Sequence, residues 1–544
     1  MQHSPLDMFD TRRIRTRTFL FLQTMLILTT LLHKDTFPVI VTALRVSSSS
    51  SNNMNSPSAA SFRKNNEHKH RLKFEIFDSI NDINAHDWDK CSRNVFTNHA
   101  WLRCLEDSKC ASSARGWRPQ HIAVYRQTDN DDMEGSNDNN RAVLGSDVPI
   151  AYVPMYLKSH SQGEFIFDNA FANAAHQAGI AYYPKLLIGV PFTPATGPRV
   201  LLHPDIASSS SENHDEATTI RKEIGTFLRE VAIDRGISSV HFNFITDDEA
   251  NDVGCDIETM MADVGAKYSV RSIFQDLQST FFPSQQQQEQ SDGFIRRSSI
   301  QYHWENQKQQ AVKVTTGGIA IGPYESFEDY LACFKSKRRI NIRRERRKIY
   351  EDEQIRVDVI QGKEILKYDG LVERMFEIYL STIEKMYWGR QYLTVEFFQM
   401  LADSEFIDHL CFICARYRDC GEEFDADDVF AGTFNVVGDG VFYGRYWGCL
   451  EEVNNLHFEV CYWKAIEHCI DTGLAKMEPG AGGGDYKFAR GFDAALVHSA
   501  HYFCHQGLRS AAWQYIEMEM KENVEMTEYL KAKSKVGDVK SKNT

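Results

Sequence analysis

The apolar positions change their period along this chain, and each change marks an element. Phe74-Glu75-Ile76-Phe77 alternates with the two-residue period of a half-buried strand. From Trp88 to Leu105 the spacing is helical, and residues 121–125 and 149–157 again read as strands around an acidic, Asn-rich insertion at 128–140. A helix is predicted at 171–179. The apolar run from Tyr182 to Ile188 then enters a loop containing Pro191, Pro194 and Pro198, and prolines at this density hold a loop in one conformation. An amphipathic helix at 220–235 and a strand at 239–245 follow. A glutamine-rich tract at 284–293 interrupts the pattern before a strand at 300–304, where His303 reads as a packed strand histidine.

In the second half, Ser326-Phe327-Glu328-Asp329 has the form of a capping box, and Phe327, Tyr330, Leu331 and Phe334 keep helical spacing after it. The helix is expected to continue unbroken through residues 335–348. Cations there occupy nearly every face except the one marked by Ile342 and Ile349. Helices at 371–387 and 394–401 and strands at 409–417, 429–437 and 441–449 come next. A helix at 456–472, capped by Asn454 or Asn455 and ended by Gly473, leads to a short strand at 474–478. A closing strand at 499–503 and a helix at 508–529 complete the series. The pattern predicts two successive α+β units, each a mixed sheet with flanking helices. The units are set at 74–265 and 300–525, with a linker and insertion at 266–299 between them and a disordered tail at 526–544.

The stretch before residue 74 has a different character. Arg12, Arg13, Arg15 and Arg17 precede an apolar run at 19–32, shorter than the roughly 20 residues of a spanning helix, and a small-residue site lies near Val41-Thr42-Ala43. Residues 44–73 are rich in Ser, Asn and basic residues and hold one acid, Glu67. Signal followed by transit peptide is the address of a plastid behind an ER-derived membrane; the other reading is a secretory or membrane-anchored protein with a linker. The net charge of −14 excludes a general nucleic-acid coat but not a local basic site. Twelve cysteines show no regular framework. Cys411 and Cys414 fall on a predicted strand, where residues three apart face opposite ways, so no metal site is expected.

The candidate chemistry concentrates in Glu478-Pro479-Gly480-Ala481-Gly482-Gly483-Gly484-Asp485-Tyr486-Lys487-Phe488-Ala489-Arg490-Gly491-Phe492. Gly482, Gly483 and Gly484 allow backbone amides to approach an anion or a developing oxyanion. Lys487 and Arg490, three apart, fall on one side of a helical turn. Lys487 is the candidate oxyanion stabiliser, and His457, Glu459 and Glu478 are candidate bases. Arg343 and Arg344 of the basic helix, with Arg490, are candidate phosphate ligands expected to share one cleft with Lys487. Arg199 at the end of the proline loop is available to an anionic group. Tyr446 lies in an aromatic strand whose glycines permit close approach. The bland alternatives are a flexible glycine loop and a solvated charge run.

Residues 182–199, 337–347, 443–450 and 478–492 together resemble the FemAB-like family, labelled peptidoglycan biosynthesis/recognition, within the GNAT acyltransferase superfamily. The resemblance implies tandem GNAT-like units, with a cleft between them, and transfer of an acyl or aminoacyl group to a small-molecule or peptide amine. It places Lys487 and Gly491-Phe492 at the active site, and Gly197-Pro198 resembles a Gly-Pro of the first unit. The resemblance admits acyl-CoA or aminoacyl-tRNA as donor; from the residues themselves no metal is expected, and no run after the leader is long and apolar enough to span a membrane, so no stable span after processing is expected. One departure stands against coenzyme A: the segment Glu451–His457 holds no glycine and opens with two acids. A non-catalytic module binding a glycan-peptide or anionic ligand, and RNA binding through the basic helix, are the other readings.

Overall fold

The computed structural model describes residues 72–127, 147–207, 211–253, 293–311, 319–385, 389–420, 423–482 and 484–534. The targeting segment up to 71, the acidic insertion at 128–140, the glutamine-rich tract up to 292 and Gly483 lie outside the described residues. Contacts divide the chain into two compact units. One is Met1–Lys69 with Ala174–Ile180, whose described residues are helical as far as Gln177. The other, His70–Asn173 with Ala181–Thr544, holds everything that follows.

Strands β1 (Leu72–Phe77), β3 (His121–Arg126), β4 (Ala151–Val153) and β7 (Leu201–Leu202) form a four-stranded antiparallel sheet. Helices α1 (Ala85–Cys91) and α2 (His99–Asp107) lie between β1 and strand β2 (Trp117–Pro119) in sequence. An eleven-stranded sheet runs in the order β12-β13-β14-β15-β16-β9-β17-β8-β6-β5-β2. Its first-half members are β2, β5 (Met155–Lys158), β6 (Lys185–Ile188) and β8 (Ser239–Ile245), and helix α3 (Ser211–Asp234) connects β6 to β8. Helix α4 (Asp247–Val253) follows β8. The centre is β9 (Ile295–Glu305) against β17 (Asp493–Phe503). A separate hairpin pairs β10 (Lys308–Ala311) with β11 (Ile319–Gly322).

The second half contributes α5 (Phe327–Ala332), α6 (Ser336–Arg347), β12 (Ile355–Gln361), α7 (Leu371–Lys385), α8 (Val395–Ala402), β13 (Leu410–Tyr417), β14 (Ala431–Gly438) and β15 (Val441–Cys449). Helix α9 comprises Leu456–Phe458, a π-helical turn Glu459–Trp463 and Lys464–Asp471; β16 (Lys476–Glu478), α10 (Gly484–Phe488) and α11 (Gln506–Ala532) come after it. The two parallel pairings in the large sheet are β6 with β8 and β15 with β16. A helix bridges each pair, as a parallel crossover requires. The same strand–helix–strand unit thus occurs once in each half, and the fold is the expected α+β arrangement with mixed sheets and flanking helices.

Strand β13 shows why the pattern was readable. Leu410, Phe412 and Cys414 enter the apolar cluster around Trp88, Trp101 and Phe397, while Cys411, Ile413 and Ala415 enter the cluster around Trp304, Tyr330 and Trp463. Both faces are buried, so the strand reads as a continuous apolar run, and its two cysteines point apart.

Four details differ from expectation. The predicted helix from Ser326 to Lys348 breaks between Ala332 and Ser336, where Phe334 turns inward, 3 % exposed, to meet the Tyr330 ring edge-on. Asn455 heads α9 without a side-chain cap; it takes a left-handed backbone at φ 68°. β9 begins at Ile295, inside the stretch read as linker, because Arg296 and Arg297 are buried there against Asp247 and Glu519. Helix α11 runs to Ala532, past the boundary expected at 525.

Candidate functional site

The site forms where β15 and β16 part. They pair over Val441–Tyr443 and Lys476–Glu478, after which β16 ends in the glycine loop. β15 carries a register shift against β14 between Phe434 and Asn435, so Arg445 stands opposite no partner residue. The contact at the parting is a backbone one: a Cβ on Gly444 would lie 3.2 Å from Pro479 Cα, and Gly480 takes φ 83° beneath Gly444. A side chain at Gly444 would therefore need Pro479 to give way by a few tenths of an ångström. Farther along, helix α7 crosses β15, and a Cβ on Gly448 would lie 1.7 Å from the Ile378 carbonyl oxygen.

Lys487 sits in α10, 2 % exposed. Its Nζ donates to the Gly480 carbonyl at 2.6 Å, and among the described side chains no carboxylate pairs with it. Burial lowers its pKa to about 8. Lys185 in the first half shows the ordinary solution. It is equally buried but held by Glu164 at 2.8 Å and by Asp168, and its pKa is raised although burial opposes this. An ammonium kept in the interior on one backbone carbonyl is costly and carries unused hydrogen-bonding capacity.

Arg490 is 6 % exposed and lies 3.4 Å from the Phe458 ring centroid, with Nη1 donating to the Tyr486 carbonyl. Its Nε is buried without a partner. Burial lowers its pKa to about 10; Arg338 lowers it further and Glu345 opposes. These last two belong to the basic helix α6, whose charges therefore reach Arg490. The residues that do this are Arg338 and Glu345, not the expected pair. Arg343 is exposed and pairs with Glu328, and Arg344 is exposed.

Glu478 is 4 % exposed; its Oε1 accepts from Lys476 at 2.6 Å, and its Oε2 is buried without a partner. Its charge acts on Tyr443, Arg199, Arg445 and His303. His457 stands among the ring edges of Trp447, Phe458, Tyr462 and Tyr486, and burial, then Arg490 and Lys487, lower its pKa to about 4. Gly482 is exposed at φ 81°, while a Cβ on Gly484 would lie 2.8 Å from the Tyr302 ring. Tyr446 packs edge-on against Tyr379, and its hydroxyl lies 3.5 Å from the Phe192 carbonyl.

Two expected site residues are structural. Glu459 is fully buried and accepts from Arg346 at 2.9 Å and from the Tyr350 hydroxyl at 2.8 Å, which ties the π-helical turn of α9 to α6. A carboxylate so engaged cannot double as a base. Arg199 is fully buried, and its guanidinium donates to the carbonyls of Ala195, Gly197, Pro198 and Asn243. It holds the proline loop in place and has no face toward a ligand.

The family model for FemAB-like proteins, described as peptidoglycan biosynthesis/recognition, matches residues 79–269 and 250–536. The chain belongs to the FemAB-like family. No curated protein matches this FemAB-like chain by sequence. Among solved structures it is similar to "Crystal structure of FemX", at 11% identity and TM-score 0.38, covering 80% of this chain and 98% of that one. It is also similar to L-PGS from Bacillus licheniformis, at 8% identity and TM-score 0.32, covering 63% and 84%. A tandem GNAT protein from the clavulanic acid biosynthesis pathway gives 10% identity and TM-score 0.32, covering 80% and 99%.

His303 is the packed strand histidine expected: it is 6 % exposed on β9, its ring meets Gln301 Oε1 at 3.2 Å, and burial lowers its pKa to about 4. One residue beside the candidate site escaped the sequence. Arg445 reaches from the bulge of β15 to the Phe192 carbonyl, and its Nε is buried without a partner among the described residues. Nothing local in the sequence marks it, because the contact joins strands and loops from distant parts of the chain. Among the described residues, no group of three or more His, Cys, Asp or Glu is placed to hold a metal ion, and no helix is long and apolar enough to cross a membrane.

Proposed function

We propose that this chain is an N-acyl- or aminoacyltransferase that moves an acyl group onto an amine. The observation that carries the reading is Lys487, an interior ammonium without a paired carboxylate among the described side chains, beside a glycine loop. Such a charge is poorly used in the resting protein and well used when negative charge develops next to it. A neutral amine attacks the acyl carbon and the C–N bond forms. The Lys487 ammonium stabilises the resulting oxyanion. The free Oε2 of Glu478 accepts the proton lost by nitrogen and returns it to the leaving group as the old acyl bond breaks. Arg490, with Arg338 beside it, supplies positive charge for an anionic part of the donor. On the signal-plus-transit reading of residues 1–73, the reaction takes place in a plastid.

A mass-spectrometric screen of acyl-CoA and aminoacyl-tRNA donors against small amines and peptides tests this. The expected result is a new acylated product, lost in Lys487→Ala. Full turnover in Lys487→Ala would remove the lysine from the mechanism. One observation favours the second reading, a non-catalytic binding module: the loop before α9 is acidic. Glu451 accepts from Tyr417 at 2.9 Å and Glu452 pairs with Lys385 at 3.5 Å, which suits a pyrophosphate poorly. Saturable binding without product from any donor would decide for that reading.

A further inference from the structure

Apart from the Lys487 centre, a cavity of about 650 Å³ is built from segments far apart in the chain. This volume lies within the usual range of small-molecule pockets. Its apolar part is aromatic. The Phe192 and Tyr392 rings stack with centroids 5.0 Å apart and 21° between planes, and Trp117 meets Phe192 at 5.1 Å. Trp117 and Phe192 are 1 % and 3 % exposed, so both are fixed by packing. Phe192 holds a left-handed φ of 58°, unusual for an aromatic residue, and a Cβ on Gly163 would strike its ring at 2.5 Å. Its orientation is thus imposed from two sides.

The polar part is cationic. Arg115 donates to the Tyr392 carbonyl at 3.2 Å, and Arg390 donates to Gln162 Oε1 at 2.6 Å. Each of these bonds uses one guanidinium nitrogen to set the side chain's direction, and both arginines remain exposed. Among the described residues no carboxylate lines the cavity, and the Glu396 carboxylate acts on Arg115 from outside it. Glu164, which does not line the cavity, is buried and pairs through Oε2 with Lys185 at 2.8 Å. Two oriented guanidinium groups beside fixed aromatic rings select a planar group with negative charge at its edge. Tyr392, half-buried, is the ring that can meet a ligand, with Phe192 stacked behind it and Trp117 packed under the Lys158 ammonium, and the arginines offer paired donors.

We propose that this cavity is a binding site for a small organic anion carrying a planar ring. The head group is a carboxylate or a phosphate, since a guanidinium accepts either. The cavity is connected to the transfer site: the Phe192 carbonyl that backs it accepts from Arg445, the bulge residue of β15.

The test uses the full-length chain and three probes of one shape, benzoate, phenyl phosphate and neutral benzamide, titrated by calorimetry or ligand-observed NMR. At least one anion is expected to bind at least tenfold more tightly than benzamide, and whichever binds better names the head group. Arg115→Gln with Arg390→Gln should bring both anions down to the level of benzamide. Both side chains are exposed, so the double variant is expected to fold; circular dichroism checks this. Tyr392→Ala should weaken all three probes. Lys487→Ala should leave binding unchanged, which separates this site from the transferase reading. The proposal is overturned if no probe saturates, if benzamide binds as well as the anions, if the double arginine variant binds normally, or if Lys487→Ala abolishes binding.

Discussion

Lys487→Met keeps the length of the side chain and removes its charge, and the structure sets what this should do to stability and to activity. A pKa lowered from 10.5 to about 8 means that burial penalises the charged form by about 3 kcal/mol, at about 1.4 kcal/mol for each pH unit. Losing the bond to the Gly480 carbonyl gives back about 1 kcal/mol. The methionine variant should therefore be more stable than the parent by about 2 kcal/mol at pH 7. The pH dependence follows from linkage. Between pH 8 and 10.5 the unfolded chain binds more protons at this position than the folded one, so the parent gains stability as pH rises through that window. Below pH 8 the penalty is present in full, and above 10.5 it is gone. The advantage of Lys487→Met should accordingly shrink as pH rises, vanish near pH ~10 and turn into a deficit of about 1 kcal/mol by pH ~11. Urea melts of both proteins at pH 7, 9 and 10.5 measure it. Transferase activity should fall at least a hundredfold in the same variant. In the parent, kcat/KM should decline above pH 8 as the ammonium is lost, and Lys487→Arg should move that limb upward in whatever activity it retains. A methionine variant less stable than the parent at pH 7, or an advantage that does not change with pH, would refute the claim that this lysine is held charged against its surroundings.

Other substitutions separate framework from chemistry. Glu459→Gln removes the buried one of the two carboxylates that hold Arg346 and should cost about 1–3 kcal/mol in a denaturant melt, whereas a loss of rate at unchanged stability would return Glu459 to the list of bases. Arg199→Met strips the donors from four backbone carbonyls and should lower stability by more than about 3 kcal/mol, leaving ligand affinity per folded molecule unchanged. Gly448→Ala places a methyl group against the Ile378 carbonyl and should destabilise by at least about 1–3 kcal/mol, visible as a lower Tm. Glu478→Gln should cut turnover while anion binding at the Arg115–Arg390 cavity persists, a split readable from the two assays above.

What the sequence made legible is what local spacing controls. Strands of both sheets announced themselves: β13 of the large sheet is apolar on both faces, and β1 of the four-stranded sheet alternates in sequence. The glycine loop was legible because Gly480, Gly482 and Gly491 take φ between 81° and 86°, a backbone that other residues resist. The break at Cys333–Lys335 was hidden: its cause is the contact of Phe334 with Tyr330 in the cluster around Trp304, and periodicity carries no term for a helix that stops early to bury one ring. The errors at Glu459 and Arg199 share one origin. Residue type says that a carboxylate accepts and a guanidinium donates, but the partner decides what for, and these partners are distant in the chain or are backbone atoms of a loop whose path the sequence does not give. Glu459 meets Arg346 across 113 residues, and Arg199 meets Asn243 across 44.

The same reasoning explains why Lys487 survives as the candidate. Among the charged side chains singled out from sequence, Glu459 and Arg199 have their hydrogen-bonding capacity taken up by the fold, and Arg343 is neutralised at the surface. Among the described residues, Lys487, Arg490 and Glu478 are buried with capacity left over: an ammonium on one carbonyl, an Nε and an Oε2 without partners. These groups of both signs stand around one parted strand pair, and a buried polar atom is costly until a partner satisfies it. A substrate that brings a carbonyl, an anion and an acidic N–H would satisfy all three at once, which is the composition of an acyl donor meeting an amine.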